Sequence, residues 1–247
     1  MRRLIPLALL VLAARGAHAQ GQFPPTKLEN LKVFPKDIPV RALIDTMRSF
    51  TRALGVRCTY CHVGNEGEPL SSFNFASDDK PEKNKAREML RMVGAINGQY
   101  LTKLAARRTP PINVACMTCH RGVSQPRPIE QVVLDTYDAA GADSAEAVYR
   151  ALRTRYYGRA SYDFGEVPLA DVGDALRSRG KTADALRFYV LNTELAPNSG
   201  FAFRAAAEAQ LAAGDTAAAR NSLQRALAIN PNDRQAKGTL DKLGANP

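Results

Sequence analysis

The chain has 247 residues, with 34 Lys and Arg against 24 Asp and Glu, a formal charge of +10. That length suits one large domain or two small ones. The basic excess favours acidic partners or anionic lipid headgroups, but no basic run is interleaved with aromatic residues, so nucleic acid is not an expected partner.

The chain opens with MRRLIPLALLVLAARGAHAQ. Arg2 and Arg3 precede a short apolar run, Leu4 to Ala14, and Ala17-His18-Ala19 is a small-x-small cleavage signal. This pattern predicts a secretory signal peptide over residues 1–19 and a periplasmic mature protein. No cysteine follows the cleavage site, so no lipid anchor is expected there. Cleavage removes three arginines and no acid, leaving 31 bases against 24 acids.

The next periodic segment is IPVRALIDTMRSFTRALGVRCTYCH. Val40, Leu43, Ile44, Met47, Phe50 and Leu54 recur at helical spacing. Gly55 is suited to close that helix in the left-handed conformation. The chain then enters Cys58-Thr59-Tyr60-Cys61-His62, and a second copy, Cys116-Met117-Thr118-Cys119-His120, follows. All four cysteines lie in these two motifs, as do both histidines that remain once His18 is removed.

C-x-x-C-H reads as attachment of a c-type haem. Two thiols tether one edge of the ring, and the adjacent histidine reaches the iron. A four-cysteine zinc site spaces its pairs by about 15–20 residues, whereas 54 residues separate Cys61 from Cys116. Zinc would also leave both histidines unexplained. A thioredoxin-like motif requires a βαβ setting that neither copy has. The expectation is therefore two covalently attached haem c groups, on Cys58 and Cys61 with His62 as iron ligand, and on Cys116 and Cys119 with His120.

No histidine is left for the opposite face of either iron. The available sulfurs are Met47, Met89, Met92 and Met117, and Met117 is held within its own attachment loop. Three methionines thus compete for two positions. Met47 sits on the apolar stripe before the first motif, where it is either core filler or a ligand. The scarcity of ligands favours coordination. Met89 and Met92 lie in KPEKNKAREMLRMVGAINGQYLTKL, with Pro81 in a first helical turn and Thr109-Pro110-Pro111 at the end. Ala86, Met89, Val93, Ile96, Tyr100 and Leu104 form the stripe expected to be buried. At about 100° per residue, Met89 falls on that face and Met92 at its edge.

These segments resemble the cytochrome c subunit of photosynthetic reaction centres, in which a Met-bearing helix precedes each of several C-x-x-C-H motifs. MRSFTRALGVRCTYCHV and AREMLRMVGAINGQYL with VACMTCHRG carry the resemblance, over about residues 30–126. It implies Met47 as distal ligand of the first haem and Met89 of the second. Full members of that family hold four haems, whereas this chain has two motifs. A histidine that serves the fourth haem there falls at Lys103 here.

Residues 122–143 form a link in which one short helix is expected. From about residue 166 a 34-residue period appears. It relates Gly180 to Gly214, Ala185 to Ala219, Pro197 to Pro231 and Asn198 to Asn232. That period is the tetratricopeptide (TPR) signature of paired helices. Ala151 falls one period before Ala185, so AEAVYRALRTRYYG is expected to form a degenerate first unit. Residues 233–243 read as a capping helix.

The expected fold is all-α: a dihaem cytochrome module over 20–126, a helical linker over 127–165 and repeats over 166–247. Because every candidate ligand precedes residue 121, removal of the repeats is expected to leave both haems in place. With both irons capped by His and Met, the chain reads as an electron carrier serving redox proteins or a membrane-bound complex such as a reaction centre. The repeats offer a surface for a protein partner. A dihaem peroxidase needs an open iron and an acid–base group, and no spare histidine supplies one. The third reading is a repeat adaptor with haems as redox sensor. Nucleophilic catalysis finds neither a free cysteine, a spare histidine nor a phosphate loop.

Overall fold

The computed structural model describes residues 22–106 and 108–245; the expected signal peptide lies outside them. The chain divides into two compact units, one ending at Cys116 and the other beginning at Met117. Among the described residues the fold is all-α, with one isolated antiparallel bridge between Val63 and Asn74. No helix among them is long and apolar enough to cross a membrane.

In the first unit, α1 spans Val40–Leu54. Its apolar stripe is half-buried and its opposite face is exposed. Gly55 ends it at φ 66°, ψ 31°, a left-handed conformation that costs a residue without Cβ little, and its N–H returns to the Thr51 carbonyl. The stop turns the chain directly into Cys58.

Helix α2 spans Pro81–Ala95, with Pro81 in the first turn, where its missing N–H costs nothing, and Glu82 beside the positive helix end. The expected helix does not continue to Thr109 as an α-helix. A π-turn covers Ile96–Tyr100 and a 3₁₀ turn Leu101–Lys103. The cause lies in Asn97. Its amide donates to the Val114 carbonyl and its oxygen accepts from the Val114 N–H, both at 2.8 Å. Gly94 and Gly98 flank this position and hold the α-helix weakly. The distortion pins the backbone two residues before Cys116. The stripe is also less buried than expected, since Met89 is 42% exposed and Tyr100 64%.

A charged cluster braces this unit. Asp78 accepts from Lys32 at 2.6 Å, Arg87 at 2.8 Å and Asn30 at 2.9 Å, and pairs with Lys83 at 3.3 Å. The Lys83 ammonium also donates to the carbonyls of Phe75, Ala76 and Ser77 at 2.6–3.1 Å. A lysine so placed satisfies three acceptors of an irregular loop that has no ladder of its own.

Helix α3 (Cys116–His120) is the second motif itself. In the second unit, α4 (Ile129–Tyr156) is two helical segments meeting at Gly141, whose φ 79°, ψ −179° is non-helical. The segment before Gly141 is the one short helix expected in the link, and the segment after it carries the AEAVYRALRTRYYG stretch. Then α5 (Glu166–Ser178) and α6 (Thr182–Leu195) recur as α7 (Gly200–Ala212) and α8 (Thr216–Ile229), and α9 (Arg234–Ala245) closes the series. Each helix starts 34 residues after its counterpart. Gly180 and Gly214 both take positive φ, and Ala185 and Ala219 are both buried.

One core joins Ile129, Val133, Ala145 and Tyr149 of α4 to Leu169, Leu176 and Phe188. A second joins Ala207, Leu223 and Ala236. Ala151 is exposed, so α4 packs through Ala145 and Tyr149, outside the 34-residue register. A Cβ on Gly173 would lie 2.6 Å from the Tyr189 ring. One period later the same positions hold Ala207 and Leu223. The larger partner therefore faces the smaller in the first repeat.

Candidate haem sites

The first motif leaves α1 through Gly55 and forms a 3₁₀ turn, Cys58–Tyr60. Both the Cys61 N–H (3.2 Å) and the His62 N–H (2.9 Å) return to the Cys58 carbonyl. This winding brings the histidine back toward the first cysteine. The thiols of Cys58 and Cys61 are half-buried and unbridged. Burial, aided by the charge of Glu82, pushes the Cys61 thiol up.

His62 lies edge-on to Phe75, with ring centroids 5.0 Å apart, and Phe73 stacks obliquely on Phe75 at 5.6 Å. Gly64 lets the chain pass over Phe73, where a Cβ would stand 2.5 Å from the ring. Burial, followed by the Lys83 ammonium, pushes His62 down to about 4; the Phe75 backbone opposes this and Arg87 adds to it. The imidazole is therefore neutral at ordinary pH, the form in which it binds metal. Its Nδ1 is buried and makes no hydrogen bond of good geometry.

The second motif is a full helical turn. At about 100° per residue, Cys116, Cys119 and His120 share a sector of about 100°, and Met117 falls about 60° outside it. Met117 is exposed. His120 Nδ1 lies 3.0 Å from the Val123 carbonyl. A carbonyl only accepts, so Nδ1 donates to it and Nε2 is the ring nitrogen left to face a metal.

The turn after His120 is fastened within the second unit. Arg121 takes φ 48° and Gly122 φ 88°. The Arg121 carbonyl accepts from the Ser161 hydroxyl at 2.6 Å, and its guanidinium donates to the Ala160 carbonyl at 3.3 Å. Cys116 closes the first compact unit, and the turn at Arg121, held by Ala160 and Ser161, belongs to the second.

Met47 is half-buried on the inner stripe of α1. Met89 and Met92 are comparably exposed, at 42% and 46%, so burial does not separate them. Among the described residues of the first unit, Ala53 is the one buried apolar side chain. The stripe of α1 is half-buried and Met89, Tyr100, Leu104 and Ile112 are exposed, so apolar surface in this unit is left uncovered. The two pairs of thiols suit tethers at a haem edge, and the two imidazoles and the methionine thioethers are ligand types that haem iron takes.

The residues that support these histidines escaped sequence reading. Phe75 and the Val123 carbonyl have no motif, because a carbonyl acceptor is independent of residue type. Asn97 carried a weak signal, a polar residue between two glycines in a helical pattern.

A family model described as photosynthetic reaction centre cytochrome C subunit matches residues 10–153. Cytochrome c-554 of Chloroflexus aurantiacus is 43% identical over 68 residues, 28% of this chain and 14% of that protein. The photosynthetic reaction center cytochrome c subunit of Thermochromatium tepidum is 34% identical over 88 residues, 32% of this chain and 20% of that protein. That of Rubrivivax gelatinosus is 36% identical over 72 residues, 29% and 16% of the two chains. The matches span a fifth or less of these relatives' lengths. Among solved structures, the first TPR of Spaghetti (RPAP3) bound to an HSP90 peptide covers 47% of this chain and 90% of its own, at 18% identity and a TM-score of 0.33. PcrH from Pseudomonas aeruginosa covers 47% and 84%, at 21% identity and a TM-score of 0.30.

Proposed function

The chain belongs to the photosynthetic reaction centre cytochrome c subunit family, and from that premise we propose that it is an exported dihaem c-type cytochrome that carries electrons between redox proteins. Membership of a cytochrome c family implies covalently bound haem c. That group, when bound, supplies a one-electron iron couple whose potential is set by its axial ligands.

The protein's own residues have separate tasks. Cys58 with Cys61, and Cys116 with Cys119, form the thioether tethers. His62 and His120, each presented by a helical turn, would be the proximal ligands. Met47 on α1 and Met89 on α2 would be the distal ligands, and thioether donors of this kind would raise the potential. The haem segment extends over residues 20–126, with a helical link over 127–165 and the repeats over 166–247. The repeats present a protein-binding face. Val167 and Phe201, exposed and one period apart on the first turns of α5 and α7, support that reading.

One observation carries the proposal. Every cysteine and each histidine beyond the leader lies in one of two C-x-x-C-H motifs, and the His120 tautomer leaves Nε2 for iron. Mass spectrometry of protein from the periplasm of a haem-attaching host is the test. The cleaved chain plus two haems, with no titratable thiol, is expected. A single haem or a zinc adduct overturns the reading.

A further inference from the structure

The charge of this molecule is unevenly shared. Residues 22–116 hold 15 Lys and Arg against 9 Asp and Glu, whereas residues 117–247 hold 16 against 15. Nearly all of the basic excess beyond the leader therefore belongs to the first unit. Within it, Lys32, Lys83 and Arg87 are committed to Asp78. The outer face of α1 is different. Arg41, Arg48 and Arg52 fall within a sector of about 40°, some 130° from the centre of the stripe that carries Met47. All three are exposed, Arg41 to 95% of its side chain. Asp45 is the one acid on this ridge, 3.4 Å from Arg48 and 4.0 Å from Arg41. Arg52 enters no ion pair among the described residues. Arg57, also exposed, continues the ridge to the residue before Cys58 and stands 4.0 Å from Glu66.

We propose that this arginine ridge is the docking surface for a carboxylate-rich redox protein, holding it beside the first C-x-x-C-H motif. The inference rests on the electron-carrier reading above. Guanidinium groups on one rigid helix face match carboxylates in pairs, with the fork geometry a lysine cannot reproduce. Like-signed charge near the point of transfer raises the encounter rate with an opposite partner and is screened over about 10 Å at 0.1 M salt. A lipid surface fits less well. An interfacial helix sets its apolar face into the membrane beneath its basic residues, but the apolar stripe of α1 is half-buried and some 130° from the arginines.

The test uses the full haem-loaded protein and its Arg41→Gln, Arg48→Gln, Arg52→Gln triple variant. Poly-L-glutamate is the acidic probe, and ferricyanide and hexaammineruthenium are small redox probes of opposite charge. The wild type should bind poly-L-glutamate at low salt and release it as salt rises, and the variant should bind at least about tenfold more weakly. Oxidation of the reduced protein by ferricyanide should slow severalfold in the variant, and reduction of the oxidised protein by hexaammineruthenium(II) should not. An unchanged visible spectrum and helical circular dichroism exclude misfolding. Equal poly-L-glutamate binding by both proteins overturns the proposal, as does binding to phosphatidylglycerol vesicles that poly-L-glutamate does not displace. Failure to react with either small redox probe, with poly-L-glutamate binding intact, sinks the electron-carrier reading and leaves the ridge as an acidic-protein site.

Discussion

At the scale of single residues, the two histidines are held by different means. His120 is oriented by a backbone acceptor three residues on, whereas His62 is oriented by packing against Phe75. Exposure does not distinguish Met89 from Met92, so the proposed choice of Met89 rests on the family resemblance. Met89→Leu preserves size and apolarity while removing the sulfur. It is expected to lower the second haem's potential or open its iron to carbon monoxide, while Met92→Leu does neither. The reverse pattern in redox titration would reassign the ligand. Asp78 invites a pH test. Lys32, then Asn30, Arg87 and Lys83, hold its carboxyl well below the usual carboxylate range. Its contribution to stability is present above the unfolded value of about 4 and is lost as pH falls toward the folded one. Asp78→Asn should therefore lower the melting temperature at pH 7, and the gap from wild type should shrink on acidification. A gap independent of pH would show that the charge contributes nothing.

At the scale of elements, helix pairing in the repeats depends on matched sizes. Gly173 faces Tyr189, whose hydroxyl donates to Asp174 at 2.6 Å, and the next repeat pairs Ala207 with Leu223. Gly173→Ala alone should destabilise by about 1–3 kcal/mol through overpacking. Tyr189→Leu alone should also destabilise, since it removes ring contacts and the Asp174 bond. Combined, the two changes imitate the second repeat and should cost less than their sum by about 1 kcal/mol, read by denaturant unfolding. Strict additivity would mean that the close approach carries no strain. The elements around the haem motifs show a different logic. The α2 helix gives way to a π-turn at Asn97 because a two-point bond to Val114 outweighs regular helix there.

At the scale of the whole molecule, the chain divides after Cys116. A chain ending at residue 165 keeps all eight proposed tether and ligand residues but strips α5–α9 from Ile129, Val133 and Tyr149. The loop that anchors Arg121 loses that support as well. Such a chain is expected to retain the first haem in its native spectrum and to open the second to carbon monoxide. Two haems closed to carbon monoxide would show that the second site stands without the repeats. Sequence by itself determined what depends on local spacing: the paired thiols with their adjacent histidine, the α1 stripe ending at Gly55, and the 34-residue recurrence of helices. These follow from covalent reach and helical periodicity, which neighbours in the chain dictate. Only the tertiary structure decided the Asp78 cluster, the Asn97 clasp on Val114, the exposure of Ala151 and the unit boundary at Cys116. Each of these joins residues far apart in the chain or depends on the size of a distant partner, and no period in the sequence encodes that complementarity.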